Sequence, residues 1–236
     1  VITNEALKIK TGRDYPRLNA QFALLDPAYA FTVPMRQVVS GAFDSLSHMM
    51  EIYFSGPDDD SVSDAINEGL QKNVIRNLRA ALRDPQDYAA RSNLAWDSAM
   101  AENRVIKMGK RTDFECHMIE HQLGAFTNCN HGEGLAVIHP AYYRRILKAG
   151  EAKFARWAVE VWGIAPEGRS SEELARAGVG ALAAFIREMG LPSSLRGLGI
   201  TDRSILKAVA DSTPLLKGGY RQLSRDEVLE ILEEVF

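Results

Sequence analysis

Apolar positions recur every three or four residues along most of the chain, the period of helices that bury one face. In "GAFDSLSHMMEIYFSG", residues 41–56, Phe43, Leu46, Met50 and Tyr53 form an apolar stripe, and Asp44, His48 and Glu51 form a polar one. The pattern predicts a helix from Pro34 or Val38 to Phe54. The loop "SGPDDD" follows, rich in turn formers, with Asp60 or Ser61 capping a long helix that ends near Asp84-Pro85. Further helices are expected over Gln86–Val105, over Asp113–Phe126 with Asp113 as N-cap, and from His131 onward after the break "TNCN". Ser170 and Glu173 spell a capping box for a helix that stops at Gly190; Thr201 opens another helix, and Ser224 with Glu227 repeats the box. Strand-like pieces occur only in residues 1–30, at Val1–Thr3 and Gln21–Leu25. The expected fold is mostly α, with a short β fragment at the N-terminus. No internal repeat or low-complexity tract interrupts it.

Composition adds a few exclusions. The 236 residues are 46% hydrophobic and 25% charged, ordinary values for a globular protein with a sizeable core. A net charge of −3 gives no electrostatic reason to expect nucleic acid or an anionic membrane as partner. No apolar run approaches the roughly 20 residues of a membrane helix. Two cysteines, Cys116 and Cys129, make no disulfide framework, so a reducing cytoplasm is expected and both read as small core fillers. The sequence starts at Val1, and "VITNEALKIKTG" reads like the middle of a sheet, so a fragment of a longer protein is expected.

Chemistry concentrates in two places. Three of the five histidines, His117, His121 and His131, lie in "ECHMIEHQLGAFTNCNHGEG", residues 115–134. His117 and His121 are four apart, as are Asp44 and His48, so each pair shares a helix face. Each segment alone reads equally well as polar surface or as histidines in ordinary hydrogen bonds. Together they supply an aspartate and several imidazoles on separate helices, the ligand set of a divalent transition metal. A cysteine–histidine zinc site lacks the Cys-x-x-Cys spacing.

Asp-x3-His followed by His-x3-His-x9-His-Gly-x-Gly, with "VITNEALKIKTG", "FALLDPAYAFTVPMRQVVSGAFD" and "MAENRVIKMGKRTDF" around it, resembles the iron-dependent (group III) alcohol dehydrogenases, most closely their NAD(P)H-dependent butanol dehydrogenase branch. The resemblance is clear over residues 1–145 and weaker in the helical tail. Dehydroquinate synthases also carry His-x3-His and a later His-Gly-Glu, but a glutamate takes their earlier ligand place. The resemblance implies a metal, Fe2+, Zn2+ or another divalent ion, held by Asp44, His48, His117 and His131. It puts His121 in the cleft as a catalytic proton relay, and Lys10, with Lys8 as the alternative, near the nicotinamide ribose. Residues 1–30 would be the edge of a missing α/β nucleotide-binding domain, and 31–236 an all-α metal-binding catalytic domain. No glycine-rich phosphate loop follows a strand here.

The implied reaction interconverts a primary alcohol and its aldehyde with NAD(P)(H), the metal acting as a Lewis acid. The expected partners are the small alcohol or aldehyde and, as often in that family, a second copy of the chain. Glu51 would hydrogen-bond a ligand histidine or face water. Asn103 and Phe114 would line the substrate pocket or serve helix packing, and His139 is expected to be structural. Two other readings stay open: a metal-dependent hydrolase with Glu120 or Glu133 as base, and an inert helical metal-binding module. Glu120, one position from His121, is expected to face away from the site.

Overall fold

A computed structural model describes residues 1–57 and 61–236. Two short strands, β1 (Ile2–Asn4) and β2 (Ile9–Thr11), pair antiparallel with Thr3 opposite Lys10. Lys8 takes the left-handed conformation in their connection, at φ 53°. Nine α-helices follow among the described residues: α1 (Met35–Tyr53), α2 (Val62–Arg83), α3 (Tyr88–Glu102), α4 (Glu115–Thr127), α5 (His131–Ile146), α6 (Glu151–Glu160), α7 (Ser171–Glu188), α8 (Ile205–Ser212) and α9 (Arg225–Glu234). The mostly α expectation therefore holds. None of these helices is long and apolar enough to cross a membrane.

Several boundaries follow from capping chemistry. Ser61 Oγ accepts the Asp64 N–H at 3.2 Å and starts α2; Asp60, the alternative cap, lies outside the described residues, as do the other two aspartates of "SGPDDD". Both capping boxes form, on Ser170 with Glu173 and on Ser224 with Glu227. Asn130 Oδ1 accepts the Glu133 N–H at 3.1 Å and fixes the first turn of α5.

Four sequence expectations need correction. Gln21–Leu25 forms no strand; among the described residues no backbone pairs with it, and Phe22 and Leu24 are 80% and 91% exposed. The helix expected over Gln86–Val105 stops at Glu102, because Arg104 turns left-handed at φ 74°. Asp113 binds the N–H of Glu115 at 2.9 Å and that of Gly219 at 2.6 Å, which delays α4 by one residue relative to a cap at Asp113. Asp202 Oδ1 accepts the Ser204 N–H at 2.9 Å in a local turn, so α8 begins at Ile205 rather than near Thr201. The sequence reading also placed no separate helix at Glu151–Glu160, whose Phe154 and Trp157 are fully buried.

The core sits beneath α1, α4 and α5. Phe43, Leu46, Met50 and Tyr53, the apolar stripe of α1, are completely buried, which leaves Asp44 and His48 on the other side. Phe54 stacks on Phe154 at 4.0 Å between centroids, and Trp157 donates from Nε1 to Gln71 Oε1 at 2.8 Å. Glycine brings α5 close to α1: a Cβ on Gly132 would lie 2.2 Å from the Ser40 carbonyl oxygen. Gly134 likewise leaves room for Glu120, whose Cγ would lie 2.9 Å from an added Cβ. The two glycines of His-Gly-x-Gly thus set how near α5 comes to α1 and α4.

Candidate metal centre

Three helices bring the predicted donors together: α1 supplies Asp44 and His48, α4 supplies His117, and the first residue of α5 is His131. Asp44 Oδ1 is the common point. It lies 3.5 Å from His48 Nε2, 3.4 Å from His117 Nε2 and 3.5 Å from His131 Nε2. His48 Nε2 and His117 Nε2 are 3.1 Å apart. Donors about 2.1 Å from one ion stand about 3.4 Å apart in a tetrahedron, so Asp44, His48 and His117 fit a small divalent cation, with His131 adjoining them through Asp44 and also grouped with Glu120 and His121. Asp44 Oδ1 is buried with no hydrogen-bond partner, as an oxygen reserved for a cation would be.

The outer nitrogens explain why the inner ones converge. His117 Nδ1 contacts Glu51 Oε2, His131 Nδ1 contacts Glu120 Oε2, and His48 Nδ1 contacts Glu102 Oε1. A carboxylate on Nδ1 holds the proton there and leaves the Nε2 lone pair facing inward. Glu51 also accepts the Cys116 N–H at 2.7 Å, and Lys10 Nζ donates to Glu120 Oε2 at 3.2 Å. Lys107 Nζ lies 3.8 Å from Glu102 Oε2. The four carboxylates outnumber the two ammonium groups by two, and a divalent cation neutralises that excess.

The local field has the same character. Burial works against a charged His117, but Glu51 and Asp44 raise its pKa to about 10. Burial also pushes Asp44 upward, yet His117 close beside it and the fields of the three imidazoles bring it to about 2. His121 goes the other way, to about 3, through burial, the Lys10 ammonium and the neighbouring histidines. It is therefore neutral at pH 7. Its ring centroid lies 5.4 Å from that of His131 and 6.1 Å from that of His117, and its Nδ1 is buried without a partner.

The remaining sequence candidates separate cleanly. Phe114 packs edge-on against His48 and His117, with centroids 5.3 and 5.2 Å apart. Asn103 is turned to its own loop, accepting the Val105 N–H at 3.0 Å. His139 is fully buried against Ser47, away from the donors. Cys116 is buried in the core, and Cys129 Sγ lies 3.9 Å from Glu120 Oε1. Glu133 is bound by Arg36 at 2.5 and 2.7 Å. Lys8 is exposed in the hairpin connection, whereas Lys10 reaches the centre through Glu120.

Glu120 does not face away as expected. It is one turn beyond His117, and the bend between α4 and α5 folds His131 back onto it. Glu102 was not anticipated at all. It lies at the end of α3, 54 residues beyond His48, and no local spacing links the two.

The chain has relatives among known proteins. The model of the Fe-containing alcohol dehydrogenase family, C-terminal, matches residues 38–236. NADH-dependent butanol dehydrogenase A of Clostridium acetobutylicum is 34% identical across 100% of this chain and 61% of its own length. The NADPH-dependent aldehyde reductase YqhD of Escherichia coli is 34% identical over 78% of this chain and 47% of its own. The crystal structure of NADH-dependent butanol dehydrogenase A from Thermotoga maritima superposes with a TM-score of 0.92 and 33% identity, covering 99% of this chain and 61% of that one. The chain thus spans about three-fifths of the length of these butanol dehydrogenases.

Proposed function

This chain belongs to the iron-containing alcohol dehydrogenase family, and on that premise we propose that it carries the metal half of an NAD(P)(H)-dependent alcohol dehydrogenase site. The observation that carries the proposal is the convergence of Asp44 Oδ1 with three imidazole Nε2 atoms, each braced from behind by a carboxylate. Asp44, His48, His117 and His131 would hold the ion, iron or zinc. A divalent ion bound there supplies Lewis-acid polarisation of an alcohol or aldehyde oxygen. The substrate class is a small primary alcohol and its aldehyde, in keeping with the butanol dehydrogenases.

The chain's own residues do the rest. Glu51, Glu102 and Glu120 keep the three rings in the tautomer that binds a cation. His121, with a buried and unpartnered Nδ1, is the group we assign to relay the proton of the substrate hydroxyl. Phe114 closes the His48 and His117 side of the centre and keeps water from it. Lys10 belongs to the nicotinamide side: it stands on β2 and turns its ammonium to Glu120. We assign residues 1–30, with their exposed Ile2, Leu7, Phe22 and Leu24, to the edge of a nucleotide-binding domain, and 31–236 to the metal-binding domain. Membership of a dehydrogenase family does not favour the hydrolase or inert-module readings.

The test uses the protein as its organism makes it, loaded with Fe2+ or Zn2+, and follows NADH or NADPH consumption with butanal. The expected result is metal-dependent consumption that falls at least a hundredfold in Asp44→Ala, an effect of the size that loss of one metal ligand produces. Consumption that survives both metal removal and Asp44→Ala would refute the proposal.

A further inference from the structure

The three braces are built unequally. Glu51 and Glu120 have side chains 1% and 0% exposed, whereas that of Glu102 is 54% exposed. Glu51 is fixed a second time by the Cys116 N–H at 2.7 Å. Glu120 is fixed by Lys10 at 3.2 Å and lies where Cβ atoms on Gly124 and Gly134 would crowd its Oε1 at 3.2 Å. Among the described residues, the second oxygen of Glu102 meets Lys107 alone, at 3.8 Å. Glu102 contacts His48 Nδ1 through a single oxygen, Oε1. It is also the one brace carried on α3, which contributes no donor to the centre, and it stands at that helix's last residue before Arg104 turns left-handed.

From this asymmetry we infer that Glu102 is the positioning residue for His48, and that His48 is the ligand through which the metal is loaded and released. The inference rests on the metal reading given above. A ligand ring held only by an exposed carboxylate at a helix terminus swings away more readily than rings held by buried, doubly fixed ones. Lys107 takes part on the same side. Its ammonium lies 5.2 Å from the centroid of Phe114, whose edge meets His48. His48 is therefore flanked by Glu102, Lys107 and Phe114, all on or just beyond the segment that links α3 to α4.

The experiment measures zinc release from the zinc-loaded protein to excess chelator, together with the thermal midpoint of the metal-free protein. Glu102→Ala is expected to release zinc about tenfold faster than the unaltered protein. Its metal-free midpoint should be unchanged, because the side chain is exposed and packs little. Glu102→Gln keeps a carbonyl acceptor for Nδ1–H, so its release should stay within about threefold of the unaltered rate. Equal acceleration in Ala and Gln would mean that charge, not positioning, is at work, and would overturn the inference. An unaltered release rate in Glu102→Ala would also overturn it while leaving the metal site standing. If the unaltered protein takes up no stoichiometric zinc, the metal reading falls, and this inference falls with it.

Discussion

At the scale of single residues, His117 shows how the centre trades a proton for a cation. Glu51 and Asp44 lift its pKa from 6.5 to about 10 despite burial. A raised imidazole pKa stabilises the metal-free fold below pH 6.5, and that contribution disappears as the pH climbs through 10. Metal needs the neutral ring, so the same titration works in reverse for binding. The expected result is zinc affinity that rises with pH between 6.5 and 10, by up to about tenfold per unit, while the metal-free midpoint falls over the same window. Calorimetric titrations at several pH values check the first trend and melting curves the second. An affinity independent of pH across that window would contradict the assignment of His117 as a ligand. Asp44, held near pKa 2, stays ionised throughout and adds no slope.

At the scale of elements, the centre depends on how closely three helices approach, and glycine sets that distance. An added Cβ at Gly132 meets the Ser40 carbonyl at 2.2 Å, and backbone cannot yield as a flexible side chain can. Gly132→Ala should therefore push the start of α5 away from α1, carry His131 out of reach of Asp44 and cost about 1–3 kcal/mol of stability. Metal content and a denaturant titration on the same variant check both effects. A variant that keeps full metal and full stability would show that the approach of α5 to α1 is not what positions His131. Much of this level was legible in the sequence. The apolar stripe of α1 and both capping boxes announced their helices, and the spacing Asp44-x3-His48 put two donors on one face. Asp113 and Asp202 were harder, because an aspartate can bind a backbone N–H in a turn before the helix as readily as at its first residue.

At the scale of the molecule, the donors and their braces come from opposite kinds of information. The four proposed donors lie in two short segments, and spacing with family resemblance was enough to propose them. The braces depend on tertiary packing. Glu51 is one turn beyond His48 and was foreseeable, Glu120 was misplaced because the bend between α4 and α5 is not written in any period, and Glu102 comes from a helix the motif does not include. The hairpin β1–β2 reaches this arrangement through Lys10, which bonds Glu120 across 110 positions of sequence. The central claim is that these parts form one divalent-metal site. It is tested most directly by elemental analysis of the purified protein after loading with Fe2+ or Zn2+ and removal of excess metal, beside His117→Ala and His131→Ala treated identically. About one metal ion per chain is expected in the unaltered protein, and a small fraction of that in either variant. No bound metal in the unaltered protein, or equal metal in all three, would contradict it.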